Sequence, residues 1–260
     1  MCSLNARSEG QSGYSPESEV EEIRYRAVGL ILGSLIDTCS KVHDNARMKP
    51  GDSNDLPFFE RPDLSPFLVH LTRNTTATDD YSAYDNLVSI LMTGEIFAST
   101  GTTGFIKGTG RASCFMDIPL GSLKYVLNEA NTNPRKPRYE PFGIVVTNEY
   151  AYARGCRPVL YLSDDEIKSL AIPKRELWRV VRLDAVDGTG VNWLHEREWR
   201  AKGSFPVPGK VRAVLVNNTK SAQHLQKQIS NEPSSFKSLP AAIIPLTILC
   251  QGLPYLHSEA

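Results

Sequence analysis

Cysteine is scarce and scattered. The five residues Cys2, Cys39, Cys114, Cys156 and Cys250 form no close pair, which argues against a disulfide framework or a zinc knuckle and makes a reducing cytoplasm the expected compartment. An excess of one charge is also missing: 29 Lys and Arg balance 29 Asp and Glu. A uniformly basic nucleic-acid binder is therefore not expected, although a local basic patch stays open. No apolar run approaches the ~20 residues that span a bilayer. The stretch 27–36 is too short, follows acidic residues and lies too deep for a signal peptide, so no membrane partner is expected. The loop 101–110 is rich in Gly and Thr but lacks Gly-Lys-Ser/Thr, and a strand is expected after it. It reads as a flexible connection or a lid rather than a phosphate cradle. A metal-binding acid set with a nearby Lys is not evident either. The segment 198–202 lacks a tight Glu-x-Lys spacing, and Asp184 and Asp187 are not placed for one, so no metal is expected and a nuclease ranks third.

What is present is a chain of 260 residues with 41% hydrophobic content, enough for one core and an appendage. Residues 1–17, rich in Ser, Gly and Glu, read as a disordered tail. Ser18-Glu19-Val20-Glu21 reads as a capping box opening a long helix with an apolar stripe, and helix and linker together occupy 18–66. The body, 67–250, alternates short strands and short helices, which predicts a mixed α+β domain with mostly antiparallel sheets. The expected strands cover 67–73, 95–99, 112–116, 142–147, 158–162, 177–183, the segment around Glu198, 211–216 and 242–249. The expected helices cover 85–93, 118–128, 148–154, 219–229 and a segment opened by the capping box Ser163 to Glu166. Residues 251–260 read as a tail.

The run Trp193-Leu194-His195-Glu196-Arg197-Glu198-Trp199-Arg200 carries the chemistry. As a strand it would place Glu196, Glu198 and Arg200 on one face, with Arg197 and Trp199 on the other. Two carboxylates beside a guanidinium are costly to bury unless paired or used. They could steady the cation that develops when a glycosidic bond breaks. An exposed edge strand with cross-strand charge pairing is the other reading, and the flanking Trp193 and Trp199 favour a site. Upstream, Phe67-Leu68-Val69-His70-Leu71-Thr72-Arg73 is an apolar strand that turns polar at His70. There the imidazole is either a satisfied structural group or a donor to a ribose hydroxyl or nicotinamide carbonyl, with Thr72 in support and Arg73 meeting a phosphate. Asp117 reads as a helix cap, Cys114 lacks a partner that would make it a nucleophile, and Arg135, Lys136, Arg138 and Tyr139 form either a solvated loop or a patch for an anionic partner.

Three segments resemble the AbiGi-like abortive-infection family of bacterial phage-defence proteins over residues 67–217. The first is Val69-His70-Leu71-Thr72 with Asn86-Leu87-Val88-Ser89-Ile90-Leu91-Met92-Thr93-Gly94. The second is Cys114-Phe115-Met116-Asp117-Ile118-Pro119-Leu120, where relatives have Cys-Phe-Thr-Glu. The third joins 142–147 and 155–161 to Glu196-Arg197-Glu198-Trp199-Arg200. The chain is also similar, more widely, to DarT-type ADP-ribosyltransferases, through a strand bearing a His, a helix patterned Asn-Leu-x-x-Ile-Leu-x-x-Gly and a late glutamate. It departs from them around Asp117, where their Tyr-x-Pro-Phe is absent, and in a more charged Glu-x-Glu segment.

The resemblance implies an ADP-ribosyltransferase-like α+β fold, NAD as substrate and no metal. It also implies ADP-ribosyl transfer to a nucleic acid or protein acceptor, in phage defence or alongside a cognate toxin or antitoxin. Carried over, the catalytic residues are Glu198, the catalytic glutamate, with Glu196 and His70 assisting; His70 with Thr72 and Arg73 holds NAD, and Tyr161 or Trp199 stacks on the nicotinamide. The alternative is a non-enzymatic, antitoxin-like regulator that keeps the fold and binds a partner through the N-terminal helix.

Overall fold

The computed structural model describes residues 63–75, 81–99, 106, 108, 110–128, 131–132, 137–183 and 193–250. The expected tails, the N-terminal helix with its linker up to residue 62, most of the Gly-Thr loop, Arg135, Lys136, Asp184 and Asp187 lie outside the described residues.

A seven-stranded sheet organises the fold. Its members are β1 (Phe67–Leu71), β3 (Ala112–Met116), β4 (Gly143–Thr147), β5 (Arg157–Pro158), β8 (Glu198–Lys202), β11 (Ala213–Val216) and β13 (Ile243–Pro245). They run in the order β13-β11-β4-β1-β3-β8-β5, antiparallel throughout except for the β11–β13 pair. Two-stranded pairs flank it: β2 (Glu95–Ile96) with β9 (Phe205–Pro206), β6 (Leu160–Leu162) with β7 (Val180–Arg182), and β10 (Lys210–Val211) with β12 (Leu239–Pro240). This is the expected mixed, mostly antiparallel α+β architecture with short helices.

Both faces of the sheet are covered. On one, Leu68, Ile144, Val146, Phe115 and Val214 join Leu87 and Leu91 of the helix Ala83–Thr93 and Leu225 of the helix Thr219–Asn231. On the other, Val69, Val145, Met116 and Leu215 meet Leu123, Val126, Leu127 and Leu246. Side-chain alternation along each strand explains the division. The helix Ala83–Thr93 begins with a capping box between Ser82 and Asp85 and ends at Gly94, which adopts φ 69° to close it.

Several expected elements shorten. The 118–128 helix is a 3₁₀ turn, Leu120–Ser122, followed by one α turn, Leu123–Val126. The strand expected over 177–183 starts only at Val180, after the 3₁₀ segment Lys174–Arg179. The last strand stops at Pro245, which has no N–H to extend the ladder.

The largest correction concerns the acidic run. Leu194–Glu196 is a 3₁₀ turn and β8 begins at Glu198. Between them Arg197 takes a left-handed conformation, φ 45° and ψ 51°. Glu196 and Glu198 therefore do not share a strand face. Two-residue periodicity cannot anticipate a left-handed residue, which turns the chain away from the strand path.

Candidate active site

The strands β1 and β4 are zipped over five paired positions, Phe67 to Leu71 against Thr147 to Gly143. On its other side β1 meets β3 at a single register pair, Val69 with Met116. Beyond that pair the two strands part, and the opening is a cavity of about 150 Å³. His70, Thr72 and Arg73 line it from β1 and its exit, Cys114 and Phe115 from β3, and Glu196, Glu198, Arg138 and Tyr139 close it.

His70 spans the gap. Its Nδ1 lies 2.8 Å from the Cys114 carbonyl oxygen, where a backbone donor of a continuous ladder would have been. A carbonyl only accepts, so Nδ1 carries the proton. Burial pushes the imidazole pKa down, opposed by that hydrogen bond, so the ring is neutral and Nε2 is left as an acceptor. The expectation made His70 a donor to a ribose hydroxyl or nicotinamide carbonyl; with Nδ1 donating to Cys114, Nε2 is left to accept. Its ring packs against Phe115, centroids 5.7 Å apart.

The exit of β1 is tied down by the helix that follows. Asn86 Nδ2 donates to the Arg73 carbonyl at 2.9 Å and to Thr75 Oγ1 at 3.1 Å, while Leu87, Ile90 and Leu91 of the same helix are buried. The Asn-Leu-x-x-Ile-Leu-x-x-Gly pattern thus consists of a tether, a core stripe and a stop. Thr72 is 4% exposed and its hydroxyl donates to the Ala83 carbonyl at 2.8 Å. That bond fixes strand to helix, and the same hydroxyl lies 3.3 Å from the Phe142 carbonyl oxygen.

Glu198, 8% exposed, is held by Arg200, 2% exposed. Nε donates to Oε1 at 2.8 Å and Nη2 to Oε2 at 3.1 Å, a bidentate pair. The backbone N–H of Glu198 donates to the Tyr161 hydroxyl at 2.9 Å. Glu196 reaches the same cavity from its turn, and its Oε1 accepts from the Tyr139 hydroxyl. Burial raises the Glu196 pKa, and the neighbouring Glu198 adds to the rise, whereas the Tyr139 hydrogen bond and the His195 and Arg138 charges oppose it. Burial, then Glu196, likewise push the Tyr139 phenol up. Cys114 is raised by burial first and by Glu198 second, so it stays a thiol. The Arg138 guanidinium lies 3.6 Å from the Trp193 ring centre and brings positive charge to the rim.

The structure brings together His70, Thr72, Arg73, Glu196 and Glu198. Tyr161 and Trp199 are not among the residues that line the cavity. Tyr161 buttresses the Glu198 backbone, and Trp199 points to the opposite face of β8, where its Nε1 donates to Asp117 Oδ2 at 3.2 Å. Alternation places residue 199 on the face of β8 opposite residue 198. Asp117 is not a helix cap: it receives Trp199 and faces Arg197 at 3.7 Å, and the following 3₁₀ turn has no side-chain cap. Tyr139 and Arg138 were legible in the sequence only as part of a basic, aromatic patch. Their place at the cavity comes from the loop before β4, which no local pattern predicts. Among the described residues no cluster of His, Cys, Asp and Glu could hold a metal ion, and no helix is long and apolar enough to cross a membrane.

Three solved structures of DarT from Thermus sp. 2.9 are similar to this chain. The one in complex with NAD+ is 16% identical, with a TM-score of 0.39, covering 69% of this chain and 95% of the other. The one in complex with ADP-ribosylated ssDNA is 14% identical, with a TM-score of 0.40, covering 71% and 95%. No protein-family model and no curated protein matches the chain, so the abortive-infection resemblance stands on its three sequence segments.

Proposed function

We propose that this protein cleaves the N-glycosidic bond of NAD and transfers ADP-ribose to a macromolecule, a nucleic acid or a protein, in phage defence or a toxin–antitoxin setting. The observation that carries this reading is the meeting of a neutral, acceptor-poised His70 with two carboxylates, Glu196 and Glu198, in one cavity between parted strands. The order of sequence motifs supports it independently.

The residues fit the nicotinamide–ribose end of the dinucleotide. A cavity of about 150 Å³ is smaller than the ~300–1,000 Å³ that houses a drug-sized ligand, so one end is what it takes. His70 Nε2 would accept from a ribose hydroxyl, and Arg73 would face a phosphate. When the C1′–N bond breaks, its electron pair leaves with nicotinamide, and the positive charge left on C1′ and the ring oxygen is met by the fixed carboxylates. The acceptor then bonds to C1′ and releases its proton.

The test is incubation of the full chain with labelled NAD, alone and with DNA, RNA or lysate. Nicotinamide release with label on a macromolecule, lost in Glu198→Gln with the circular dichroism spectrum intact, is the expected result. Full activity in that variant sinks the assignment, and release without transfer makes the protein an NAD hydrolase.

One observation favours the regulator as a second reading: both Glu198 oxygens are already occupied by Arg200. No turnover and no NAD-dependent rise in melting temperature would decide for it.

A further inference from the structure

Arg200 sits two residues beyond Glu198 on the same face of β8 and has almost no solvent contact. Its guanidinium is fully committed. Nε and Nη2 grip the two oxygens of Glu198, and Nη1 donates to the Trp178 carbonyl at 2.9 Å and to the Val180 carbonyl at 3.3 Å. Those carbonyls belong to the junction between the 3₁₀ segment Lys174–Arg179 and β7. One planar side chain therefore bolts the carboxylate to a second, separately folded strand pair. Across the sheet, Arg200 is the register partner of Cys114, whose carbonyl holds His70. The two halves of the cavity are thus referenced to one another through two neighbouring strands.

We propose that Arg200 is a positioning residue for the reaction, acting through Glu198. Its role is to fix the plane of that carboxylate against the scissile bond of a nicotinamide riboside unit. This rests on the reading of the site as an NAD-cleaving one. The alternative for a buried Arg–Glu pair is simple structural pairing, and such pairs are weak evidence for stability. What sets this one apart is that Arg200 grips the carboxylate with two nitrogens and anchors to backbone carbonyls with the third, with the Cys114 thiol beside the pair, while Glu198 keeps a wall of the cavity. A carboxylate has about four lone-pair sites. The two Arg200 bonds occupy one on each oxygen, the Cys114 side chain meets another, and what is left can meet a ribose hydroxyl and the developing charge. Lysine cannot reproduce the grip, because a single ammonium lacks the planar fork that reaches two oxygens and two carbonyls together.

The experiment is a double-mutant cycle on nicotinamide release, with wild type, Glu198→Gln, Arg200→Lys and the double variant, each checked by circular dichroism and melting temperature. The expected result is a kcat about 100-fold lower in Arg200→Lys, the scale of loss when a catalytic group is misplaced by about 1 Å, with KM for NAD little changed. In the Glu198→Gln background the same substitution should cost nothing further, because it acts only through the lost carboxylate. Should Arg200→Lys fail to fold, Arg200→Gln takes its place in both backgrounds, Gln keeping a donor for the carboxylate and leaving no buried ammonium.

An equal loss in both backgrounds, or a rise in KM with kcat unchanged, overturns the positioning role and leaves NAD cleavage standing. A wild-type protein that releases no nicotinamide overturns the NAD reading and this inference together.

Discussion

The two sides of β1 differ sharply. Towards β4 the strand is paired along its whole length, apolar on both faces and so close that a Cβ on Gly143 would lie 2.6 Å from the His70 carbonyl oxygen. Towards β3 one registered pair is followed by a parting lined by His70, Cys114, Glu198 and Glu196. A sheet closes where backbone donors and acceptors find each other. Where it opens, polar side chains have to take over those bonds, as His70 does with the Cys114 carbonyl. The opened side is thus both the weaker ladder and the place where chemistry can be housed.

The comparison is sharpened most by Glu198→Gln. On the open side nicotinamide release should fall by about 10²–10³-fold, the scale for removing one preorganised electrostatic group, with a loss of about 3–5 kcal/mol in stability because the buried Arg200 guanidinium loses its counter-charge; steady-state kinetics on the folded variant and its denaturant midpoint check this. Gly143→Ala probes the closed side. It should cost about 1–3 kcal/mol of stability through overpacking against backbone, read as a lower denaturant midpoint, and a neutral result would show that the β1–β4 ladder has slack. Arg197→Gly asks whether the left-handed turn sets Glu196: it relieves the ~1–2 kcal/mol that an L side chain costs at φ 45° but removes the Arg197 contacts to Asp63 and Asp117, so a denaturant midpoint near wild type with Glu196 still in the cavity is the expected result.

The smallest effect is one of pH. The folded-state pKa of His70 lies below its ordinary value because burial disfavours the cation. Between the two values the unfolded chain binds more protons, so stability is present above the unfolded pKa of about 6.5 and is lost as pH falls through the folded value. The melting temperature of wild type should drop more steeply below pH 6.5 than that of His70→Gln, and parallel profiles would remove the buried, neutral imidazole from the account.

How far each side was legible follows from the kind of signal it carries. The apolar runs Phe67 to Leu71 and Gly143 to Thr147, the stripe Leu87, Ile90 and Leu91 ending at Gly94, and the capping box at Ser163 are local patterns, and each forms the element it announces. Glu196 and Glu198 line one cavity, but not by the shared strand face that two-residue alternation expected. The backbone leaves the strand at Arg197 and returns to the cavity on a 3₁₀ turn. Trp199 was drawn to the site by proximity in sequence, and strand alternation takes it to the other face.

The sequence by itself determined the α+β class and most element positions, among them a histidine-bearing strand early in the body and an acidic segment late in it. These depend on periodicity, capping and turn residues within a few positions of one another. Only the tertiary structure decided that β1 and β3 part after one pair, that Tyr139 and Arg138 come to the cavity, and that both Glu198 oxygens belong to Arg200. Those facts depend on contacts between residues far apart in the chain, such as His70 with Cys114 and Tyr139 with Glu196, and such contacts are chosen by how the whole core packs.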